Sequence, residues 1–172
     1  MKSDKALAKS LFTYNEKSGL VRWRVDRVAA LTNHKTIKAK AGDVAGWIND
    51  SGYRLVMFKG RKCRATDVIW LLVYGRYPKD EVDHKNGNRS DNRIKNLRDA
   101  TPSQNRCNSK LRSDSTSGFK GVSWYSAKGK WRATIKFMGK HKHLGFFVDP
   151  KKASIAYETA AKELHGQFAR MK

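Results

Sequence analysis

The chain has 172 residues, with 37 lysines and arginines against 15 aspartates and glutamates, so its formal net charge is +22. A field of this sign attracts polyanions, which makes nucleic acid the first candidate partner and an anionic membrane surface the second. The hydrophobic fraction of 39% and the five tryptophans exclude a disordered basic tail and fit one domain or two small ones.

Two other classes of protein are excluded by what the sequence lacks. The longest apolar run, residues 68–73, is far shorter than the roughly 20 residues that a membrane span needs. Residues 1–5 are polar, unlike the start of a signal peptide. Cys63 and Cys107 stand alone, so they form no zinc motif and no disulfide framework, and both are expected to be small buried side chains. We therefore expect an intracellular protein with no membrane partner.

The N-terminal part is predicted to be rich in strands. Residues 14–23 are typical of a turn that enters a short strand, whereas residues 24–46 are basic, poorly periodic and predicted to be mostly loop. Residues 52–64 predict a hairpin, because Lys59-Gly60 supplies the turn residues with positive φ.

Two helices and a linker follow. Residues 66–74 predict a short apolar helix that ends at Gly75. Thr101 is a typical N-cap, because a proline follows it and Gln104 can close a capping box. The stretch 109–118 is rich in Ser, Thr, Lys and Gly, which favours a flexible linker.

Charge is unevenly distributed along the chain. Residues 1–78 carry 16 basic and 6 acidic side chains, residues 79–106 carry 7 and 5, and residues 107–172 carry 14 and 4. Two strongly basic flanks therefore bracket a nearly neutral centre that contains acids, amides and a histidine. Basic flanks suit phosphate contacts, and an acid-bearing centre in a polyanion-binding protein suits a metal ion.

The neutral centre contains a spaced motif of Asp83-His84, Asn96 and Asn105. His84 precedes Asn96 by 12 residues, and Asn96 precedes Asn105 by 9. The motif resembles the HNH homing endonucleases, whose ββα-metal motif carries an Asp-His pair on a strand, a structuring Asn in the second segment, and His or Asn on the following helix. Because adjacent strand residues face opposite sides, the pairing of Asp83 with His84 in one pocket is an implication of the resemblance.

The resemblance implies hydrolysis of a phosphodiester bond, which needs a nucleophilic water, a cation and stabilisation of the leaving oxygen. His84 would take the proton from water, as an ordinary pKa near ~6.5 allows. Asn96 would orient His84 by an amide contact. Asp83 and Asn105 would supply oxygen ligands to one divalent ion per active site, and such ligands favour Mg²⁺ or Mn²⁺ over Zn²⁺. No small-molecule cofactor is expected.

Other polar residues near the motif receive simpler assignments. Arg93 and Arg98 are candidate phosphate clamps. Asn88, Asn92 and Asn108 are predicted to be turn or cap residues rather than ligands.

The C-terminal half carries a second resemblance, over residues 117–168. Its segments 118–124, 129–135, 143–147 and 153–161 look like an AP2 DNA-binding domain, whose fold is a three-stranded antiparallel sheet backed by one helix. Periodicity supports the sheet independently, because apolar and basic residues alternate over residues 130–137. Small residues at helical spacing predict a helix that begins at Asp149-Pro150 and ends at Gly166.

The outward face of this sheet is the predicted DNA-reading surface, since sheets can enter the major groove. Trp124 and Trp131 are expected to pack in the core. The candidate DNA-binding residues of this half are Lys120, Lys130, Arg132, Thr134, Lys136, His141 and His143.

These observations predict an α+β protein with four parts: a basic β-rich region with a short helix (1–78), a ββα-metal core (79–110), a linker (111–117) and an AP2-like domain (118–172). The expected function is metal-dependent cleavage of double-stranded DNA by a monomer. The resemblance implies a phage-type homing enzyme that acts in the bacterial host cytoplasm and nicks one strand. A non-catalytic AP2-like regulator with a degenerate core is the alternative, and an RNA-binding protein is the third reading.

Overall fold

A computed structural model describes residues 3–28 and 37–171, and the chain divides after Ala100 into two units that are described separately. Within the described ranges, no helix is long and apolar enough to cross a membrane.

The first unit begins with a helix that the sequence analysis did not predict. Helix α1 spans Asp4–Leu11, and the Ser3 side chain caps it by accepting a hydrogen bond from the Ala6 N–H. Strands β1 (Phe12–Asn15) and β2 (Leu20–Trp23) then pair as an antiparallel hairpin, so the predicted strand at residues 14–23 is half of a pair.

The segment predicted to be loop contains two short antiparallel strands, β3 (Arg27–Val28) and β4 (Ile37–Ala39). Residues 29–36 of that prediction lie outside the described residues.

The predicted hairpin and the first predicted helix are confirmed. Strands β5 (Trp47–Ile48), β6 (Arg54–Phe58) and β7 (Arg61–Arg64) form an antiparallel sheet, and the β6–β7 turn has φ of 53° at Lys59 and 74° at Gly60. Helix α2 spans Ala65–Tyr74 and ends at Gly75 in the left-handed conformation. The apolar side chains of α2 pack in one core with side chains of β1, β2 and β6. The fully buried members of this core include Phe12, Val21, Val56, Val68, Ile69 and Leu71.

Strands β8 (Glu81–His84) and β9 (Leu97–Ala100) complete the first unit as an antiparallel hairpin. Asp83 lies opposite Arg98, and His84 lies opposite Leu97. Val82 and Leu97 belong to the same apolar core as α2. The core therefore fixes the strand that carries the Asp-His pair.

The second unit begins with helix α3, which spans Pro102–Cys107. The predicted capping box is present, because the Thr101 hydroxyl accepts from the Gln104 N–H at 3.2 Å and the Gln104 side chain accepts from the Thr101 N–H at 2.8 Å.

The rest of the second unit is a three-stranded antiparallel sheet of β10 (Val122–Tyr125), β11 (Lys130–Phe137) and β12 (Lys140–Phe147), with helix α4 (Pro150–His165) against one face. Asp149 caps α4 and Gly166 ends it, as predicted. Small residues let the helix approach the sheet closely: a Cβ on Gly121 would lie 2.1 Å from the Tyr157 ring.

One lysine of this unit ties separate segments of chain together. Lys120 Nζ donates to the carbonyl oxygens of Cys107 and Ser109, each at 2.9 Å, and of Arg170 at 3.2 Å. The end of α3 is thus bonded into the same unit as the sheet. The four-part division with a linker at 111–117 remains a proposal.

Candidate active site and nucleic-acid interface

The Asp-His pair lies at the end of β8, where both residues are almost inaccessible to solvent. Asp83 is 3% exposed and His84 is 4% exposed. The carboxylate oxygen Oδ2 of Asp83 accepts from both Nε and Nη2 of Arg98, each at 2.7 Å. Arg98 therefore holds the carboxylate in one orientation from the opposite strand and balances its charge.

His84 is oriented by an asparagine rather than by a carboxylate. Its Nε2 lies 2.9 Å from Oδ1 of Asn92, which is itself buried. Burial lowers the pKa of His84, outweighing the opposing effects of Asn92 and Asp83, so the imidazole is neutral at neutral pH. Because an amide oxygen only accepts, Nε2 is the donor in this contact and carries the imidazole proton.

Asn92 is in turn held by the N-terminal hairpin. The Tyr14 hydroxyl donates to the Asn92 carbonyl at 2.9 Å, and burial raises the pKa of this hydroxyl to about 12. In the β1–β2 turn, Gly19 has φ of +72°, and a Cβ there would lie 2.5 Å from the Arg93 backbone nitrogen. The turn and the loop after β8 therefore pack backbone against backbone.

The structure corrects the predicted roles of two asparagines. Asn92, predicted to be a turn residue, makes the contact to His84 that was predicted for Asn96. Asn96 instead closes the loop between β8 and β9: its amide pairs with both the backbone and the side chain of Asn86 at 3.0 Å, and it donates to the Asp91 carbonyl at 2.8 Å. Asn96 acts on the loop that carries Asn92, and not on the imidazole directly.

Both arginines predicted to be phosphate clamps are bonded to carboxylates. Arg93 binds Asp91 in a bidentate manner at 2.7 and 2.6 Å, which lowers the pKa of Asp91 to about 2. Arg98 binds Asp83 as described above. The sequence could not reveal this, because arginine density alone does not show which guanidinium has a carboxylate partner.

A different group of cations lies beside His84. The ring of Tyr53 is 6.1 Å from the His84 ring, and the guanidinium carbons of Arg64 and Arg89 lie 4.4 and 4.8 Å from the Tyr53 ring centre. None of these three residues was a predicted site residue. No local sequence signal links them, because they come from three separate elements.

Asp83 is the candidate metal ligand next to His84. Among the described residues, no group of three or more His, Cys, Asp or Glu side chains could hold a metal ion. The Asp83 carboxylate is an oxygen donor of the kind that hard divalent ions such as Mg²⁺ prefer. Asn105 lies in α3 of the second unit, and its role as the second ligand remains a proposal.

The second unit exposes a basic and aromatic sheet face, opposite the face that packs against α4. In the pairing of β11 with β12, Arg132 lies opposite Phe146, Thr134 lies opposite His143 and Lys136 lies opposite His141. Ala133 and Ile135, which alternate with these residues along β11, are buried. The predicted separation of a basic face from an apolar face is thus present.

Aromatic rings lie among the cations of this face. The Phe146 ring lies 5.2 Å from Tyr125 and 4.5 Å from His143, and Lys128 Nζ lies 4.3 Å above it. Arg132 stacks over Tyr125 at 5.2 Å. The exposed Lys130 lies at the start of β11.

Two predictions for this half need correction. Lys120 was predicted to bind DNA, but its three ammonium protons are directed at three backbone carbonyls, and burial lowers its pKa. Trp124 was predicted to pack in the core, but it is 50% exposed and meets the half-buried Trp131 edge to face at 5.2 Å. Trp124 lies on the edge strand β10, two residues after the buried Val122.

Comparison with known proteins gives matches to the region that contains the site. A family model described as HNH endonuclease matches residues 65–107, from the start of α2 to the end of α3. Protein 3.8 of Escherichia phage T7 is 36% identical over 105 residues, which cover 60% of this chain and 86% of that protein. A protein of Acanthamoeba polyphaga mimivirus described as uncharacterized HNH endonuclease L560 is 30% identical over 124 residues, 72% of this chain and 64% of that protein. No solved structure is significantly similar.

Proposed function

The chain belongs to the HNH endonuclease family, and we propose that it hydrolyses one strand of duplex DNA in a reaction that depends on a divalent metal ion. The observation that supports this most strongly is the state of His84. It is buried, neutral and hydrogen-bonded through Nε2, next to a carboxylate on the same strand. A histidine in this state is ready to accept a proton, which a nuclease of this kind requires and a DNA-binding regulator does not.

In the proposed reaction, Nδ1 of His84 takes the proton from the attacking water. Asn92 keeps the other imidazole proton on Nε2 and stabilises the imidazolium that forms. Asp83 and Asn105 would hold the ion, and Arg98 fixes the Asp83 carboxylate. A Mg²⁺ or Mn²⁺ ion held by these residues would supply charge stabilisation for the reaction. The leaving 3′ oxygen would take a proton from solvent water, so the products would be a 5′ phosphate and a 3′ hydroxyl.

Recognition is assigned to the sheet of the second unit. The strands of this sheet, residues 122–147, contain cations and aromatic rings but no Asp or Glu. A β-sheet can enter the major groove of DNA. We propose that Lys130, Arg132, Thr134, Lys136, His141 and His143 contact DNA there, in the manner of AP2 domains.

The biological setting is also part of the proposal. A homing-type, phage-encoded enzyme that acts as a monomer inside the bacterial host fits the resemblance of the motif. One Asp-His pair per chain is consistent with a nick rather than a double-strand break.

The test is a cleavage assay on phage and host genomic fragments carried in supercoiled plasmids, because supercoiled and nicked forms separate on a gel. With Mg²⁺ or Mn²⁺ we expect conversion to the open circle, and with EDTA we expect none. His84→Ala should abolish conversion, whereas His165→Ala, which removes an imidazole from α4, should not. Failure of the parent protein to convert any plasmid in either metal would contradict the proposal.

A further inference from the structure

Three side chains of the first unit form a cluster that the reaction above does not use. We call Tyr53, Arg64 and Arg89 the tyrosine clamp. Tyr53 precedes β6, Arg64 ends β7 and Arg89 lies in the loop between β8 and β9. Both guanidinium carbons lie within 5 Å of the Tyr53 ring centre, at 4.4 and 4.8 Å. Such contacts hold a guanidinium in place and leave its N–H groups available for other partners.

Neither arginine of the clamp is neutralised within the first unit. Of the carboxylates that the structure describes, none lies within ion-pair distance of Arg64 or Arg89. Arg64 influences the carboxyl group of Asp67, three residues further along, without forming an ion pair. Arg93 and Arg98, by contrast, each donate two hydrogen bonds to a carboxylate.

The position of Arg89 is fixed from a second direction. Its Nη1 donates to the Ser51 carbonyl at 3.1 Å, so the loop before β6 anchors the side chain. Two guanidiniums are therefore gathered at one ring although their like charges repel. Anionic groups would offset that repulsion, and phosphate oxygens can accept the paired N–H donors of a guanidinium.

The clamp is also close to the proposed reaction centre. The ring centres of Tyr53 and His84 are 6.1 Å apart, so each guanidinium carbon lies no more than about 11 Å from the imidazole. With ~3.4 Å of duplex length per nucleotide of one strand, that distance corresponds to about three nucleotides. The clamp can thus hold a phosphate within about three nucleotides of the one that is cut.

We propose that Arg64 and Arg89, held by the Tyr53 ring, each bind a backbone phosphate of the DNA strand within about three nucleotides of the cleaved bond. The inference rests on the proposed function, because it takes DNA as the ligand. It assigns to the clamp the role that the sequence suggested for Arg93 and Arg98. A phosphate held there fixes the register of the strand over His84 without reading its sequence.

The experiment measures binding of the full chain to a labelled duplex by fluorescence anisotropy in EDTA, at a series of salt concentrations. Arg64→Gln and Arg89→Gln should each weaken binding about tenfold and lower the slope of log K against log salt by about one. The matched control is Arg61→Gln, which removes the same charge from the exposed turn end of β7. If Arg64→Gln and Arg89→Gln weaken binding no more than Arg61→Gln, the clamp is refuted.

A second set of variants tests the ring. Tyr53→Leu removes the surface that holds both guanidiniums, and Tyr53→Phe keeps it, so Tyr53→Leu should weaken binding several-fold more than Tyr53→Phe. In the Arg64→Gln, Arg89→Gln background, Tyr53→Leu should have no further effect. Equal losses for Leu and Phe would show that the ring does not position the arginines. Circular dichroism checks that each variant is folded. Arg64→Lys keeps the charge but lacks the planar guanidinium, so its DNA affinity should lie between those of the parent and of Arg64→Gln.

This design separates failure of the clamp from failure of the nuclease. Binding in EDTA requires no cleavage, so a parent protein that binds DNA but never cuts it overturns the proposed reaction and leaves the clamp to be decided by its variants. A parent protein that does not bind duplex DNA overturns the clamp as well.

Discussion

The β8–β9 hairpin of the first unit and the sheet face of the second unit both carry many polar side chains, but they use them in opposite ways. In the hairpin, Asp83 and Asn92 are buried and bonded to specific partners at 2.7–2.9 Å. On the sheet, Lys136, His141 and His143 are exposed and Arg132 is half-buried, and the contacts of Arg132 and Lys128 are with rings rather than with carboxylates. Catalysis needs one tautomer and one carboxylate orientation, which burial and hydrogen bonds provide. Binding to phosphates needs exposed charge, which internal ion pairs would remove.

The largest effect on stability should come from breaking the ion pair of the hairpin. Arg98→Met leaves the buried Asp83 carboxylate without its counter-charge, and the free energy of unfolding should fall by about 3–5 kcal/mol. Denaturant unfolding measures this. Arg93→Met is the control, because its ion pair with Asp91 is more exposed and should matter much less. Adding Asp83→Asn to Arg98→Met should recover part of the loss. No recovery would mean that the unpaired charge is not the cause.

The next effect concerns the tautomer of His84. Asn92→Leu removes the acceptor at Nε2, so the imidazole should populate both neutral tautomers and cleavage should slow about 10–100-fold. Nitrogen-15 NMR of the histidine ring distinguishes the tautomers directly. Asn92→Asp keeps an oxygen at the same place and should keep the proton on Nε2. An unchanged tautomer in Asn92→Leu would rule out this role for Asn92.

Local patterns were sufficient to predict most of the regular structure. The turn at Lys59-Gly60, the end of α2 at Gly75 and the capping box at Thr101 depend on residues within a few positions of each other. Helix α1 was missed because its eight residues are too few to show a clear helical period. The partners of the site were missed for a different reason: Tyr14 and Asn92 are 78 residues apart, and no local signal connects them.

The candidate site shows the same limit. The Asp-His pair and Asn96 could be located from spacing, because the motif is contiguous. Which of several asparagines contacts His84, and which arginines have carboxylate partners, depends on how the β8–β9 loop folds against β1–β2 and β6. The same applies to Lys120, whose charge suggested DNA binding although its surroundings give it a structural role.

A moderate effect should follow from releasing Lys120. Lys120→Met leaves three carbonyl oxygens without their donor, so the free energy of unfolding should fall by about 1–3 kcal/mol. Lys110→Met, at an exposed position nearby, is the control for loss of charge. Hydrogen exchange should then show faster exchange of the amides in residues 101–110. Equal stability of the two variants would show that the three hydrogen bonds contribute little.

The smallest effect should come from the sheet face, where single charges are replaceable. Arg132→Ala should weaken DNA binding only a few-fold and lower the salt slope by about one, with the cleavage rate at saturating protein unchanged. Lys152→Ala removes one charge from an exposed position of α4 and should leave the slope as it is. A slope that does not change in Arg132→Ala would remove this residue from the interface.

The most direct test of the central claim is the single-turnover rate of DNA cleavage by the parent and by His84→Ala, at saturating protein and across pH. We expect His84→Ala to be about 10²–10⁴-fold slower while its DNA affinity is unchanged, because His84 moves a proton and does not bind phosphate. Since burial lowers the pKa of His84, the parent rate should fall only as pH drops below about 6.5, and this acid limb should be absent from the variant. A His84→Ala protein that cuts within a few-fold of the parent rate, with the same pH profile, would show that His84 is not the general base.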